Sequence, residues 1–175
     1  MRKKYNIEWI RIVIDYLQVS DTQDKNIEIV FPVFLSVITS GLYYRFNDIV
    51  YAVKIFSEIL LTVDSMLIGF TGILVTLLLT TENRTIDTLK KKESPKELYG
   101  KKVNLFDLLH ILFTNSLLNE IILLLVVMLN LFLRGLLYNK ILSLLGLIIE
   151  VFMILNITFS MMRGVNNLYW TFKKK

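Results

Sequence analysis

SMLIGFTGILVTLLLTT (65–81) runs directly into ENRTIDTLKKKESPKELYGKK (82–102), and the reading of that junction decides the fold. The first stretch carries no charge and, with the apolar turns before it, is long enough to cross a hydrocarbon core about 30 Å thick. The second holds Arg84, Lys90, Lys91, Lys92, Lys96, Lys101 and Lys102, the densest basic run in the protein. Short basic loops stay on the cytoplasmic side of a membrane. The junction therefore predicts both a span and its orientation.

The composition outside this stretch agrees. Of 175 residues 54% are hydrophobic and the mean hydropathy is +0.56, above the usual apolar share of globular domains. Only 7 Gly and 2 Pro punctuate the chain, so long helices are expected. There is no Cys, which excludes disulfides and thiolate chemistry. A single His, His110, excludes any site that needs two imidazoles. The net charge of +5 is accounted for by topology rather than by nucleic acid.

Three further spans follow from the uncharged runs. The predicted transmembrane domain covers 27–162, with spans at about 27–44, 53–81, 109–133 and 141–162 and a basic cytoplasmic loop at 82–108. Pro32 falls in the first turns of the first span, where proline is least disruptive. Residues 1–26 form a cytoplasmic or interfacial segment. Trp9, Ile12, Val13, Tyr16 and Leu17 lie at helical spacing there, behind Arg2, Lys3 and Lys4. That pattern suits an amphipathic helix in the headgroup region, or one packed on a partner or neighbouring subunit. Charges interrupt it, so no cleavable signal is expected. Residues 163–175 read as a cytoplasmic tail. Lys and Arg alternate 5–2–7–2–4 along the chain outside the uncharged cores of the spans, Lys54 at the start of the second span counted with Arg45, the bias expected of four spans with both termini cytoplasmic. The expected fold is an all-α integral membrane protein, a four-helix transmembrane bundle with an N-terminal interfacial helix.

The candidate functional residues are polar groups that the bilayer should not tolerate. Glu58 and Asp64 sit in the second span, Glu120 in the third and Glu150 in the fourth. An ionised carboxylate at mid-bilayer is costly, so these acids should be protonated, paired or facing water. Counted from the short link 134–140, Glu120 and Glu150 fall within roughly 6 Å of the same depth. They read either as an ion or proton path or as neutral carboxyls hydrogen-bonded across the hairpin or to Asn115, Ser116 or Asn156. Ser65, Gly69, Gly72 and Thr76 form two small-xxx-small pairs on one face of the second span, a seam for close helix packing and self-association. Lys90, Lys91, Lys92, Lys96, Lys101 and Lys102 are candidates for contact with anionic lipid or an acidic cytosolic partner. Tyr99 is the only aromatic among them, which disfavours direct nucleic-acid binding. No nucleophile elbow, HExxH, P-loop or GxGxxG stretch is present, so no enzyme activity and no cofactor are expected.

The layout of a short N-terminal segment, LIGFTGILVTLLLTTENRTIDTLKKK (67–92) leading from a span into a basic loop, and then an apolar hairpin resembles one known family. It is similar to the four-span membrane subunits (KwaA-type) of bacterial Kiwa phage-defence systems. The resemblance covers most of the chain and rests on layout, so no functional residue of the family carries over. It implies an oligomer in the bacterial inner membrane that senses infection and works with a soluble, DNA-binding partner. The expected function is a non-enzymatic membrane sensor or scaffold of such a complex. The alternative is an ion-conducting or pore-forming effector that uses the intramembrane acids.

Overall fold

Along the long helices polar side chains are buried beside the apolar core, while many large apolar ones face outward. Ser36, Ser40, Ser57, Asp64, Thr71, Glu120, Glu150 and Ser160 are fully buried, while Met66 (71%), Phe132 (66%) and Leu125 (61%) stand exposed. A water-soluble chain sorts its residues the other way. The computed structural model describes residues 8–46, 49–81, 84–136 and 139–173. Four helices are long and apolar enough to cross a membrane: Thr22–Arg45, Ile49–Thr80, Leu105–Leu133 and Lys140–Trp170.

The first of these is longer than its uncharged run implies. After α1 (Glu8–Val19), Asp21 caps α2 (Thr22–Lys25) through a capping box, its carboxylate accepting from the Asp24 N–H at 2.9 Å while Asp24 accepts from the Asp21 N–H at 3.2 Å. A π-helical turn (Asn26–Val30) joins α2 to α3 (Phe31–Phe46). Pro32 therefore sits well inside a helix and not in its first turns. Proline has no N–H for the Glu28 carbonyl, and its ring crowds that carbonyl. The chain accommodates it by widening the preceding turn. Asn156 then donates to the stranded Glu28 carbonyl at 2.6 Å.

The second, third and fourth spans are α4 (Ile49–Thr80), α6 (Leu105–Leu136) and α7 (Lys140–Lys173), all longer than the uncharged runs within them. On α4 the inward residues Val53, Ser57, Leu60, Asp64 and Thr71 are buried. Half-buried Leu67, Leu74 and Leu78 complete an alternating four-three spacing along the same face. That repeat is the seam of a left-handed bundle. Helix α7 is central: it packs on α3, α4 and α6, whereas α3 barely touches α4. Phe31 and Phe159 meet edge to face at 5.8 Å and help hold α3 on α7.

The protein is mostly helical, as expected, but the connection expected as a basic loop (82–108) contains a folded module over 84–104, whose two short strands the sequence reading did not include. Helix α5 (Arg84–Lys91) leads into β1 (Glu93–Leu98) and β2 (Lys101–Asn104), an antiparallel pair. Asn104 then caps α6, accepting from the Asp107 N–H at 2.7 Å. Ile86, Leu89 and Val103 join Tyr16 and Val19 of α1 over Leu105, Leu108, Leu109, Leu112 and Phe113 of α6, in one apolar cluster. Helix α1 thus packs on its own chain. Its Trp9, Ile10, Ile14 and Leu17 remain exposed. Asp15 makes a long-range contact, accepting from the Tyr99 hydroxyl at 2.6 Å. Arg2, Lys3 and Lys4 lie outside the described residues.

The β1–β2 turn places Tyr99 at φ 52° and Gly100 at φ 74°, the left-handed pair a tight hairpin requires. Tyr99 is held there by Asp15 and by its N–H donating to Gln18 at 3.3 Å. Gly100→Ala places a Cβ in that region and is expected to cost about 1 kcal/mol. Faster hydrogen exchange confined to 93–104 checks it; unchanged exchange would mean the hairpin tolerates the strain.

Candidate functional site: a buried polar column

Three residues on the α4 seam are polar at intervals of seven: Ser57, Asp64 and Thr71. Each step rises about 10 Å along one helix face. Ser57 donates to Glu150 of α7, 2.9 Å from each carboxylate oxygen, and Asn130 of α6 donates to Glu150 at 2.8 Å. Two turns further along, Asp64 is fully buried and neither oxygen has a hydrogen-bond partner. Two turns beyond that, Thr71 donates to Glu120 of α6 at 2.8 Å, while Glu120 Oε2 has no hydrogen-bond partner. Below lie two paired sets bridging α6 and α7: Ser116 with Ser160 at 3.4 Å, and Asn119 donating to Asn156 at 3.0 Å.

This geometry corrects two expectations. Glu120 and Glu150 do not share a depth. They meet α4 positions fourteen residues apart, roughly 20 Å along the axis. Ending α6 at Leu136 rather than Arg134 moves the count by only about 3 Å; the separation is set by the α4 partners, Ser57 for Glu150 and Thr71 for Glu120. Glu58 is not a bundle residue either: its side chain is 56% exposed and lies 3.9 Å from Lys54 along the outer face of α4.

The column ends in an ion-pair cluster at the hairpin end of the bundle. Arg163 of α7 is its centre, with its side chain 13% exposed. It pairs with Asp24 at 2.7 Å and with Glu28 at 3.0 Å, and donates to Ser20 at 3.0 Å. Its guanidinium lies 5.5 Å from the Tyr16 ring, and the Tyr16 hydroxyl donates to Glu28. Burial, and then the Glu28 carboxylate that takes its hydrogen bond, hold the Tyr16 hydroxyl well above the ordinary phenol range. Lys96 of the hairpin completes the cluster, 2.5 Å from Asp21 and 2.6 Å from Asp24. Residues 163–175, expected as a cytoplasmic tail, thus begin with a structural arginine inside helix α7.

The lysine expectations divide accordingly. Lys90, Lys91, Lys101 and Lys102 are exposed, with Lys102 3.4 Å from Glu93 and Lys90 5.1 Å over the Phe106 ring. Lys92 is half-buried and has a partner. Lys96 is occupied by the cluster, and so is not a free docking group. On α4, Ser65, Gly69 and Thr76 are exposed and Gly72 is half-buried. Nothing lies within 4 Å of a Cβ at Gly69 or Gly72, so this face packs on no helix of its own chain.

The cluster at Lys96 sets a pH window. The Lys96 hydrogen bond, then the Asp24 backbone, lower the Asp21 pKa from 3.8 to about 2. Burial opposes the Lys96 charge, but its two carboxylates outweigh it and raise its pKa. A depressed acid contributes stability above its unfolded pKa that is lost as pH falls through the folded one. The raised lysine contributes stability that is full below its unfolded pKa and is lost only as pH rises through the folded one. The Lys96 clasp is therefore expected to hold across neutral pH and to loosen as pH falls from about 4 toward 2. Because Asp21 is solvent-exposed the effect is small and is screened by salt. Hydrogen exchange of 93–104 against pH checks it; loosening near pH 6 would contradict this origin.

Sequence reasoning named the acids of the column but missed their partners Ser57, Thr71 and Asn130, and it missed the cluster. The seven-residue spacing of Ser57, Asp64 and Thr71 was visible, as was the acid spacing of Asp24 and Glu28 opposite a lone arginine in a span-like run. Together the apolar exterior and polar interior define a multi-pass α-helical membrane protein. No protein family, curated protein or solved structure matches the chain.

Proposed function

We propose that the protein is a non-enzymatic membrane scaffold and sensor, of the kind found as membrane subunits in bacterial phage-defence complexes. In this reading it crosses the cytoplasmic membrane four times, with both termini and the hairpin module in the cytoplasm. The observation that carries it is the module: α1, α5 and the hairpin form a folded platform joined to α6 and clasped to α7 by Arg163. Its exposed lysines offer a docking surface for a soluble acidic partner, and the basic composition of 84–102 favours the cytoplasmic side. The outward small-residue face Ser65, Gly69, Gly72 and Thr76 supports self-association.

Affinity purification of the intact chain in mild detergent, with the native mass of the complex, tests this. A soluble partner in fixed stoichiometry is expected, lost when Lys90, Lys91 and Lys101 are reversed to Glu while oligomer size is retained. A homo-oligomer that captures no partner overturns it. The column of Glu150, Asp64 and Glu120 favours a second reading, ion conduction. That reading predicts current in a planar bilayer which Glu120→Gln alters, and the scaffold predicts none.

A further inference from the structure

Helix α3 barely touches α4, although both pack on α7, and the gap between them leaves an apolar furrow along α7. Leu147, Val151, Thr158, Met162, Val165 and Tyr169 line it from the α7 side. At about 100° per residue these six fall within about 60° of one helix face. Two cavities open along that face. One, about 360 Å³, lies between Thr39 and Tyr43 of α3 and Ala52 and Phe56 of α4. The other, about 500 Å³, runs beside Leu67 of α4 and along α7 from Thr158 to Tyr169. Residues 158–169 rise about 16 Å, close to half of a hydrocarbon core about 30 Å thick. The Thr158 hydroxyl donates to its own backbone, to the Ile154 carbonyl at 2.7 Å, so the wall stays apolar.

The furrow changes character at the hairpin end. Tyr169 and Trp170 meet edge to face at 5.6 Å, and the exposed Lys173 ammonium stands 5.4 Å over the first ring and 5.0 Å over the second. Aromatic rings with a lysine at the end of a span are anchors at the headgroup level. Asn166, also exposed there, offers an amide donor. Among the described residues no acid lines either cavity. Size and charge decide the occupant. A helix about 10 Å across would fill about 1,300 Å³ over the same 16 Å, so the slot is too narrow for a span of a second copy. The small-residue face of α4 points elsewhere, since Gly69 lies about 200° around the helix from Leu67. An unbranched alkyl chain fits, and one leaflet supplies it at the right length. Its burial gains little, because the surrounding lipid tails are as apolar as the slot. Selection therefore falls to the headgroup, and one lysine near the surface favours an anionic one about fivefold.

We propose that this furrow holds an acyl chain of an anionic phospholipid, whose phosphate meets Lys173. The site is separate from the scaffold reading, which uses Lys90, Lys91 and Lys101, so either can fail alone. Phosphatidylglycerol and phosphatidylcholine with the same diazirine midway along one acyl chain test it, each at trace level in phosphatidylcholine vesicles that hold the intact protein. Light expels nitrogen, and the carbene inserts into a neighbouring C–H bond. The phosphatidylglycerol probe is expected to mark 158–169 about fivefold more than the phosphatidylcholine probe. Lys173→Gln should bring that ratio to about one and leave labelling of the other helices unchanged. Val165→Trp, which fills the slot, should lower the adduct at 158–169 for both probes. Equal labelling by the two probes overturns the proposal. So does a preference undiminished by Lys173→Gln, or an adduct that ignores Val165→Trp. The comparison of probes uses the unaltered protein, so it decides even where a variant fails to fold.

Discussion

Arg163→Ala is expected to destabilise the protein by about 3–5 kcal/mol, the cost of breaking a buried pair from one side. The guanidinium serves two carboxylates, Asp24 and Glu28, and a hydroxyl, Ser20. Glu28 has only 3% of its side chain exposed, so water cannot replace the lost partner. The Tyr16 hydroxyl would still donate to Glu28, but a neutral donor does not balance a carboxylate. Arg163→Lys keeps the charge and loses the planar fork that spans Asp24 and Glu28, so its effect should fall between. Pairing Arg163→Met with Glu28→Gln should recover part of the loss, because it removes two buried charges together. Thermal unfolding in detergent micelles measures the series, and hydrogen exchange locates the effect at α1 and 93–104. If Arg163→Ala melts with the unaltered protein, the module is not fastened through this cluster.

The four spans were legible because a run of uncharged residues has one outcome in a membrane. The module over 84–104 was not. ESPKELYGKKVN (93–104) alternates no apolar face, and its buried residues, Ser94 and Val103, are sparse. Its turn depends on Tyr99 in a left-handed conformation that contacts from α1 support, which no local pattern announces. The small residues of α4 were read as one face for close packing and self-association, and that face is turned away from the chain's own bundle. The inward face was encoded by the four-three spacing, in which Ser57, Asp64 and Thr71 looked like interruptions of an apolar seam. They are its polar rungs. Charge density likewise suggested a solvated tail at Arg163, whereas the partners that bury it lie more than a hundred residues away.

The second large effect concerns the joint where the module meets the spans. Phe113 of α6 is 1% exposed, within the apolar cluster that also buries Tyr16, Ile86 and Leu89. Gly164 of α7 lies against it so closely that a Cβ there would stand 2.9 Å from Phe113 Cε1 and 3.0 Å from Cζ. Phe113→Ala is expected to cost about 3–5 kcal/mol, as the cavity adds to the lost apolar burial. Gly164→Ala errs the other way: the ring must move within a packed cluster, at about 1–3 kcal/mol. The two changes should therefore not add. Combined with Phe113→Leu, which trims the ring on the side the new methyl needs, Gly164→Ala should cost less than the sum of the separate changes by 0.5 kcal/mol or roughly more. A double-mutant cycle on thermal unfolding measures the coupling. Strict additivity would show that α6 and α7 part at this level to admit the methyl, and the joint would then be a loose contact. Coupling would show instead that glycine is required at 164 because the ring of Phe113 occupies the space of a side chain, locking the module end of α6 to α7 one residue beyond Arg163.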